Sequence, residues 1–377
     1  MTAKAPTSTP SGGHAWPRVL IAMLVLVVLA VAAHALAWHW LVGQLEDGLR
    51  RWAQAQRSAG WTVQYDPPAR GGWPLAAMLT VPQLRILGPA SAVEGEVEWT
   101  SPRLLLHVSL PLIDRLVAEP RGPQRLRIGA LDIPFAADRL EFVVPFEPGA
   151  AVRRLDVLAE RVRAGTPEGP AELRALQMHL ETRSSATDAE TALAVTLETQ
   201  DLDLPPGLLA NPSIAALGRR IEALSLDAAL SGPIPFSDSL AARAEAWREG
   251  GGTLELREVA LRWGTVDGAF RMTLTLDEAM QPMGAGQVQV AGAAEAVRAL
   301  VAAGAVAPRA GQAAAVAIGL LAQRRESGPP RVDLPVTLEE RRLAVGPIRL
   351  LRFAPLTWPT AVESPAEAVD PSLPALR

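Results

Sequence analysis

The stretch at residues 60–86, GWTVQYDPPARGGWPLAAMLTVPQLRI, marks the point at which the hydrophobic pattern of the chain changes its period. Before it, apolar residues recur at helical spacing; within it, Trp61, Val63 and Tyr65 alternate with polar residues. An alternation with a period of two predicts a strand that turns one face toward a core. The stretch therefore opens a β-rich region, and Trp73, which follows two glycines, is predicted to plug the end of its sheet.

The same stretch contains a change of register. Leu79 and Val81 precede Pro82, whereas Leu84 and Ile86 resume the alternation one residue later. Proline cannot donate a ladder hydrogen bond, and a slip of this kind is typical of a β-bulge. We therefore predict a bulge at this proline.

Short alternating runs continue through most of the remaining sequence, separated by breaks rich in Pro and Gly and by little helix. Antiparallel sheets give this pattern, because each strand has one face on the core and one in water. The predicted fold class is mainly β (α+β), a large antiparallel and strongly curved sheet, sandwich or half-barrel with a few helices. The clearest runs are 104–108, 142–144, 193–197, 224–230, 259–263, 270–276 and 332–338.

An uninterrupted apolar segment precedes the β-rich region. Residues 19–42 read VLIAMLVLVVLAVAAHALAWHWLV, and the first fifteen carry no polar side chain. About 20 apolar residues cross a hydrocarbon core of ~30 Å as a helix, and Trp38 and Trp40 stand where interfacial aromatic residues occur. We predict an uncleaved single-pass anchor. The alternative is a signal peptide cleaved near AVAAHA, residues 30–35.

Charge around this segment predicts its orientation. Lys4 and Arg18 precede the span, whereas the acidic and basic residues just after it offset one another. The positive-inside rule then gives a cytoplasmic N-terminus. In a bacterium with two membranes, this places the anchor in the inner membrane and the C-terminal domain in the periplasm.

These patterns divide the chain into five segments. They are a flexible leader (1–18), a transmembrane anchor (19–42), an amphipathic connecting helix (43–59), a β-rich periplasmic domain (60–356) and a disordered tail (357–377). The β-rich domain also admits a division into two similar halves, 60–235 and 236–356. Within it, helices are predicted near 238–250, 293–304 and 308–325, and we interpret the strongly apolar last one as a packed core helix.

Composition excludes several kinds of chemistry. The chain has no cysteine, so disulfides, thiolate metal sites and cysteine nucleophiles are impossible. Lys4 is the only lysine, which excludes a Walker P-loop or a Schiff-base lysine in the folded part. A net charge of −4 argues against a nucleic-acid partner, because such proteins normally present a basic face. No cofactor and no metal are predicted.

Candidate catalytic residues are scarce. His107 and His179 are the only histidines of the predicted β-rich domain, and neither has metal-ligand spacing. No Gly-x-Ser-x-Gly motif is present. A hydrolase built around either histidine is therefore the least favoured function, and we predict that the protein is not an enzyme.

The order of the motifs resembles a known family. An anchor and a Leu/Arg-rich helix are followed by GWTVQY at 60–65, GGWPL at 71–75 and PQLRI at 82–86; a block of strands at 251–292 then precedes a helical pair and a closing hairpin at 332–350. Over residues 36–356 this pattern resembles the alphaproteobacterial envelope proteins catalogued as domain of unknown function 2125. The resemblance implies an envelope location and a β-rich architecture. The topology and the Leu-x-Leu texture are also remotely similar to AsmA-like periplasmic lipid-transport proteins.

Two functions are compatible with these features. The favoured one is the binding of lipid or another apolar ligand in a groove of the sheet, with ligand or plug contacts predicted at Trp61, Tyr65, Trp73, Trp263 and Phe270. The alternative is a non-enzymatic scaffold or assembly factor that binds another envelope protein. The predicted partners are thus the inner membrane and either lipid or an envelope protein.

Overall fold

The computed structural model describes residues 15–89, 96–146, 152–183, 185–187, 190–233, 240–321, 331–346 and 348–358. The helices are α1 (Ala15–Ser58), α2 (Pro212–Leu217), α3 (Leu240–Glu249), α4 (Ala293–Ala302) and α5 (Pro308–Leu321), with a 3-10 turn at Pro206–Ala210. The first nine strands are β1 (Thr62–Gln64), β2 (Ala69–Gly71), β3 (Ala76–Pro89), β4 (Glu96–Ser109), β5 (Arg115–Arg121), β6 (Gln124–Ile128), β7 (Leu131–Ala136), β8 (Arg139–Pro145) and β9 (Val152–Thr166). The other nine are β10 (Gly169–Arg183), β11 (Thr191–Asp203), β12 (Arg220–Ser231), β13 (Leu254–Trp263), β14 (Val266–Leu276), β15 (Pro282–Ala291), β16 (Arg331–Glu339), β17 (Arg342–Val345) and β18 (Ile348–Arg352).

All eighteen of these strands belong to one antiparallel sheet, which confirms the predicted mainly β fold class. From β9 to β18 each strand pairs with the next one in the chain, so this part is a simple meander. On the other side of β9, short strands lie end to end: β7 and β8 both pair with β9, and β5 and β6 both pair with β4. Next comes β3, along which β1 and β2 pair.

The slip predicted at Pro82 is present, but its predicted cause was wrong. The register of β3 with β4 runs unchanged along both strands, so no bulge residue is inserted. Instead, Gln83 adopts a left-handed backbone with φ of 48°. This twist moves the buried side from Leu79 and Val81 to Leu84.

Helix α1 has two different halves. Its N-terminal half is an exposed apolar rod. By length and composition, α1 is sufficiently long and apolar to cross a membrane. Its C-terminal half lies on β3, where Leu49 and Ala53 are buried against Leu79 and Val81. The predicted anchor and connecting helix therefore form one continuous helix that completes the core at this end of the sheet.

Three of the remaining helices occur where the sequence predicts them, whereas α2 was not predicted. Helix α3 and the pair α4 and α5 fall within the predicted ranges. The interpretation of the last helix as a packed core helix was wrong, because Val316 is 65% and Leu320 is 82% exposed. Its apolar composition does not bury it, since only one side meets α4 and β16.

Some predicted boundaries fall outside the described residues. The leader does so except for 15–18, which belong to α1, and the tail does so except for 357 and 358. The boundary at 235–236 also lies outside them, and β12 pairs directly with β13 across that gap.

Candidate functional site

A single row of apolar side chains crosses twelve strands of the sheet. We call it the central row: Leu79, Leu106, Ala118, Phe142, Val157, Met178, Leu197, Leu226, Val259, Phe270, Val288 and Leu334. Each member is paired directly with the next, and directly opposed residues lie on the same face of a sheet. At about 4.8 Å between strands, the row extends about 50 Å along the sheet.

The rows beside the central row are apolar as well. One of them runs from Leu140 on β8 to Val332 on β16, and Thr199 is its only polar member. The Thr199 hydroxyl donates to the carbonyl oxygen of Leu224 at 3.2 Å, so its polarity is satisfied within the sheet. We call the surface formed by these rows the apolar face.

The ends of the apolar face are covered, whereas no described helix packs extensively over its middle, although Val157, Thr199 and Met272 are buried there. Leu79 is 0% exposed under α1, and Val336 is 2% exposed at the opposite end. Between them, Met178, Leu197 and Phe270 are only half-buried. None of the described helices packs extensively on the central parts of β9 to β12. Apolar side chains that are half-buried without a covering layer shield one another, as we expect where a sheet curves around them.

A cavity of about 370 Å³ opens where α3 lies over the ends of β12 to β15. Its apolar walls come from the strands, from α3 and from the segment after β18, and include Leu230, Leu254, Leu274, Leu240, Ala244, Trp247, Leu356 and Trp358. Arg243 on α3 and Thr275 on β14 are the polar members of the lining. The cavity is thus an extension of the apolar face beneath a helix.

Indole hydrogen bonds fix two walls of this cavity. Trp247 Nε1 donates to the carbonyl oxygen of Ser231 at 2.8 Å, which attaches α3 to β12. Trp358 Nε1 donates to the carbonyl oxygen of Met280 at 2.8 Å. The backbone N–H of Leu356 donates to Gln281 Oε1 at 2.8 Å. The segment after β18 is therefore held against the turn between β14 and β15.

The opposite face of the sheet carries arginine–carboxylate pairs. Bidentate hydrogen bonds of 2.7–2.9 Å join Arg125 to Asp132 and Arg220 to Asp203. These hydrogen bonds lower the pKa of both carboxyls from their ordinary value. Exposed pairs add little stability, but they keep this surface hydrated. The sheet thus has one apolar face and one aqueous face.

Both histidines of the sheet lie on the aqueous face. His179 Nδ1 is 2.7 Å from Asp156 Oδ1, and its side chain is 56% exposed. His107 Nδ1 is 3.8 Å from Glu119 Oε1. Within the described ranges, neither ring is hydrogen-bonded to a hydroxyl, and no group of three His, Cys, Asp or Glu is placed to hold a metal ion.

The turn between β2 and β3 is fastened to α1. The Trp73 ring lies 5.1 Å from the His34 ring and 5.9 Å from the Trp38 ring, measured between centroids. His34 Nε2 is 2.7 Å from the carbonyl oxygen of Pro74, and Trp38 Nε1 donates to the carbonyl oxygen of Ala76 at 2.8 Å. The ends of β2 and β3 are therefore fixed next to the end of the exposed apolar rod.

Large apolar side chains are exposed at this end of the strands. We call them the apolar rim: Trp73, Leu75, Leu112, Ile113 and Phe146, each between 42% and 76% exposed. They come from three connections of the sheet. The backbone N–H of Leu110 donates to the carbonyl oxygen of Leu75 at 2.8 Å, and that of Phe146 donates to the carbonyl oxygen of Asp114 at 2.7 Å. These bonds join the three connections into one surface next to α1.

The structure separates the five predicted contact residues into three groups. Trp61 packs on the backbone of Gly88, and Tyr65 packs against the core under α1. Trp73 belongs to the apolar rim.

Trp263 and Phe270 lie on the apolar face, on the neighbouring strands β13 and β14. Trp263 Nε1 donates to the carbonyl oxygen of Gly218 at 2.8 Å, which fixes it at the end of β13. Phe270 belongs to the central row, between Val259 and Val288.

Sequence reasoning missed Arg243. Leu240, Ala244 and Trp247 have the spacing of one side of α3, and Arg243 has the spacing of the same side. A charged residue within an apolar helical stripe is the signal that could have identified it.

The fold and the site together define a class: a long antiparallel sheet with one apolar face, attached to a single N-terminal helix that is long and apolar enough to span a membrane. The chain belongs to the family described as "Uncharacterized protein conserved in bacteria (DUF2125)", which it matches over residues 38–354. No curated protein and no solved structure matches the chain.

Proposed function

We propose that this protein is anchored in the inner membrane by α1 and binds lipid, or another apolar molecule, on the apolar face of a periplasmic sheet. The observation that carries the proposal is the central row, most of whose members from Phe142 to Leu334 are half-buried, with no described helix packed extensively over the middle of the row. Transfer of apolar surface from water is favourable by roughly 25 cal/mol per Å², so an uncovered surface of this length favours an apolar occupant. The proposed role is non-enzymatic and involves no nucleic acid.

The apolar rim supports the attachment to a membrane. At about 1.5 Å per helical residue, the distance from Val19 to Trp38 is about 30 Å, which is the thickness of a hydrocarbon core. The rim lies at the level of Trp38, because Trp73 and Ala76 contact that residue. We therefore place the rim at the surface of the bilayer, so that the connections at this end of the strands contact the lipid.

Mass spectrometry of the purified full-length protein tests the proposal. Protein extracted in a mild detergent is expected to retain lipid, and Val288→Asp is expected to reduce the amount retained, because it puts a charge in the central row. Gln287→Asp is the matched control, since Gln287 lies on the aqueous face of the same strand, opposite Arg271. Equal lipid content in the two variants, or none in the unchanged protein, contradicts lipid binding.

A scaffold role is the second candidate, because a protein partner could cover the same uncovered middle. A photo-crosslinking amino acid at Phe270 separates the two functions in cells. Lipid binding predicts adducts of lipid mass. A scaffold predicts a discrete protein adduct at this position instead.

A further inference from the structure

We propose that the cavity beneath α3 binds a single-chain anionic amphiphile, with the alkyl chain among the leucines and the carboxylate or phosphate head at Arg243. This inference rests on the proposed lipid-binding function. It narrows that function to one site and one charge class of ligand.

The cavity has the size and the walls that an alkyl chain needs. Its volume of about 370 Å³ lies in the range of small-molecule sites, about 300–1,000 Å³. Leu230, Leu254 and Leu274 form one row across β12, β13 and β14, adjacent to the rows of the apolar face. An alkyl chain seated on these leucines can thus continue along the face.

Arg243 supplies the charge. Its Nε atom is buried and has no hydrogen-bond partner among the described residues. No carboxylate in the described part of the chain pairs with its guanidinium. A buried donor without an acceptor is unfavourable, and a bound anion would accept from it. Because the rest of the lining offers only Thr275 as a polar group, the head of the ligand is expected at this arginine.

Arg248 provides a matched control on the same helix. It is also half-buried and its Nε is also without a partner, but it does not line the cavity. A variant at Arg248 therefore removes the same kind of charge from α3 without altering the proposed site.

Tryptophan quenching can measure the binding, because Trp247 and Trp358 line the cavity. Full-length protein in phosphatidylcholine nanodiscs would be titrated with dibromostearate, whose bromines quench nearby indoles. We expect quenching that weakens when Trp247 is replaced by Phe. Arg243→Gln is expected to weaken dibromostearate binding about tenfold or more, as for loss of a charged hydrogen bond, and Arg243→Lys by less. Arg248→Gln should bind as the unchanged protein does.

Three further ligands test the charge, the chemical class and the source of the head group. Stearate and lysophosphatidylglycerol compete for the site, and the stronger competitor shows whether a carboxylate or a lipid phosphate is preferred. The brominated neutral alcohol should bind much more weakly than dibromostearate. Equal binding of alcohol and acid, or unchanged binding in Arg243→Gln, overturns the inference while lipid retention by the protein can still stand. If dibromostearate causes no quenching but the purified protein retains lipid, this site is overturned and the proposed function stands. If there is neither quenching nor retained lipid, the proposed function is overturned as well.

Discussion

Glu141, on the aqueous face of β8, shows how the ion pairs of that face depend on pH. Arg139 donates two hydrogen bonds to its carboxylate, at 2.6 and 2.8 Å. These hydrogen bonds lower the pKa of Glu141 from its ordinary value of 4.5, although partial burial acts in the opposite direction. A carboxyl whose pKa is lowered by folding stabilises the folded state above its ordinary pKa. That contribution is lost as the pH falls through the lowered value.

Glu141→Gln should therefore lower stability at pH 7 by roughly 1 kcal/mol and make stability less dependent on pH in the acidic range. Denaturant unfolding of the detergent-solubilised protein at neutral and acidic pH would measure both effects. Glu340→Gln is the control, because its side chain is 78% exposed. An unchanged pH dependence in Glu141→Gln would show that the pair with Arg139 does not act in solution.

Single residues also show where sequence reasoning ends. Alternation placed Phe270 on an inward face, because a period of two is a local property of the sequence. The sequence also distinguished Trp73, predicted at the end of its sheet, from Trp263, which lies in the alternating run 259–263. It did not identify the partners of either ring, because the contacts of Trp73 with His34 and Trp38 and of Trp263 with Gly218 join residues distant in sequence.

Helix α1 is both an apolar rod and a part of the core. Ala53 is 0% exposed and touches the sheet at β3, whereas the next residue, Gln54, is exposed. A small residue at the point of contact lets the helix lie close to the strand. The helix is therefore part of the hydrophobic core at this end of the sheet.

Ala53→Arg is expected to destabilise the protein by about 3 kcal/mol or more, because it forces a charge and extra volume into a packed core. Gln54→Arg should have an effect near zero. Thermal unfolding followed by circular dichroism would compare the two variants. Similar transition temperatures would mean that α1 does not pack on β3 in solution.

The strands illustrate what a pattern can and cannot specify. Their positions were predictable, but the apolar face stays continuous only because individual residues adopt unusual backbone angles. Arg161 on β9 and Asp201 on β11 have φ near +48°, at the same level of the sheet on either side of Arg174. Neither residue type requires this conformation, so the sequence alone gives no reason to expect it. Likewise, the apolar sequence of α5 wrongly suggested a buried helix, because its exposure depends on which other elements pack against it and not on its own composition.

If α1 spans a membrane, the apolar rim should contact the bilayer. The chain has no cysteine, so Leu75→Cys, Leu112→Cys and Phe146→Cys each provide a unique attachment point for an environment-sensitive fluorophore. In phosphatidylethanolamine–phosphatidylglycerol vesicles, doxyl-labelled lipids are expected to quench these three fluorophores.

Ala130→Cys is the control for this experiment. Ala130 is exposed in the turn between β6 and β7, at the opposite ends of the strands. A fluorophore there should be insensitive to doxyl-labelled lipids. If doxyl-labelled lipids quench the rim fluorophores no more than this one, the apolar rim does not contact the membrane.

The meander from β9 to β18 has a consequence for how the protein acquires its structure. Each strand pairs with its immediate predecessor, so the contacts are local in sequence and little loop-closure entropy opposes them. Because the chain is synthesised from its N-terminus, the preceding strand is available for pairing when each new strand of the meander appears. Folding can thus keep pace with emergence, strand by strand, and the growing edge is covered as soon as the next strand appears.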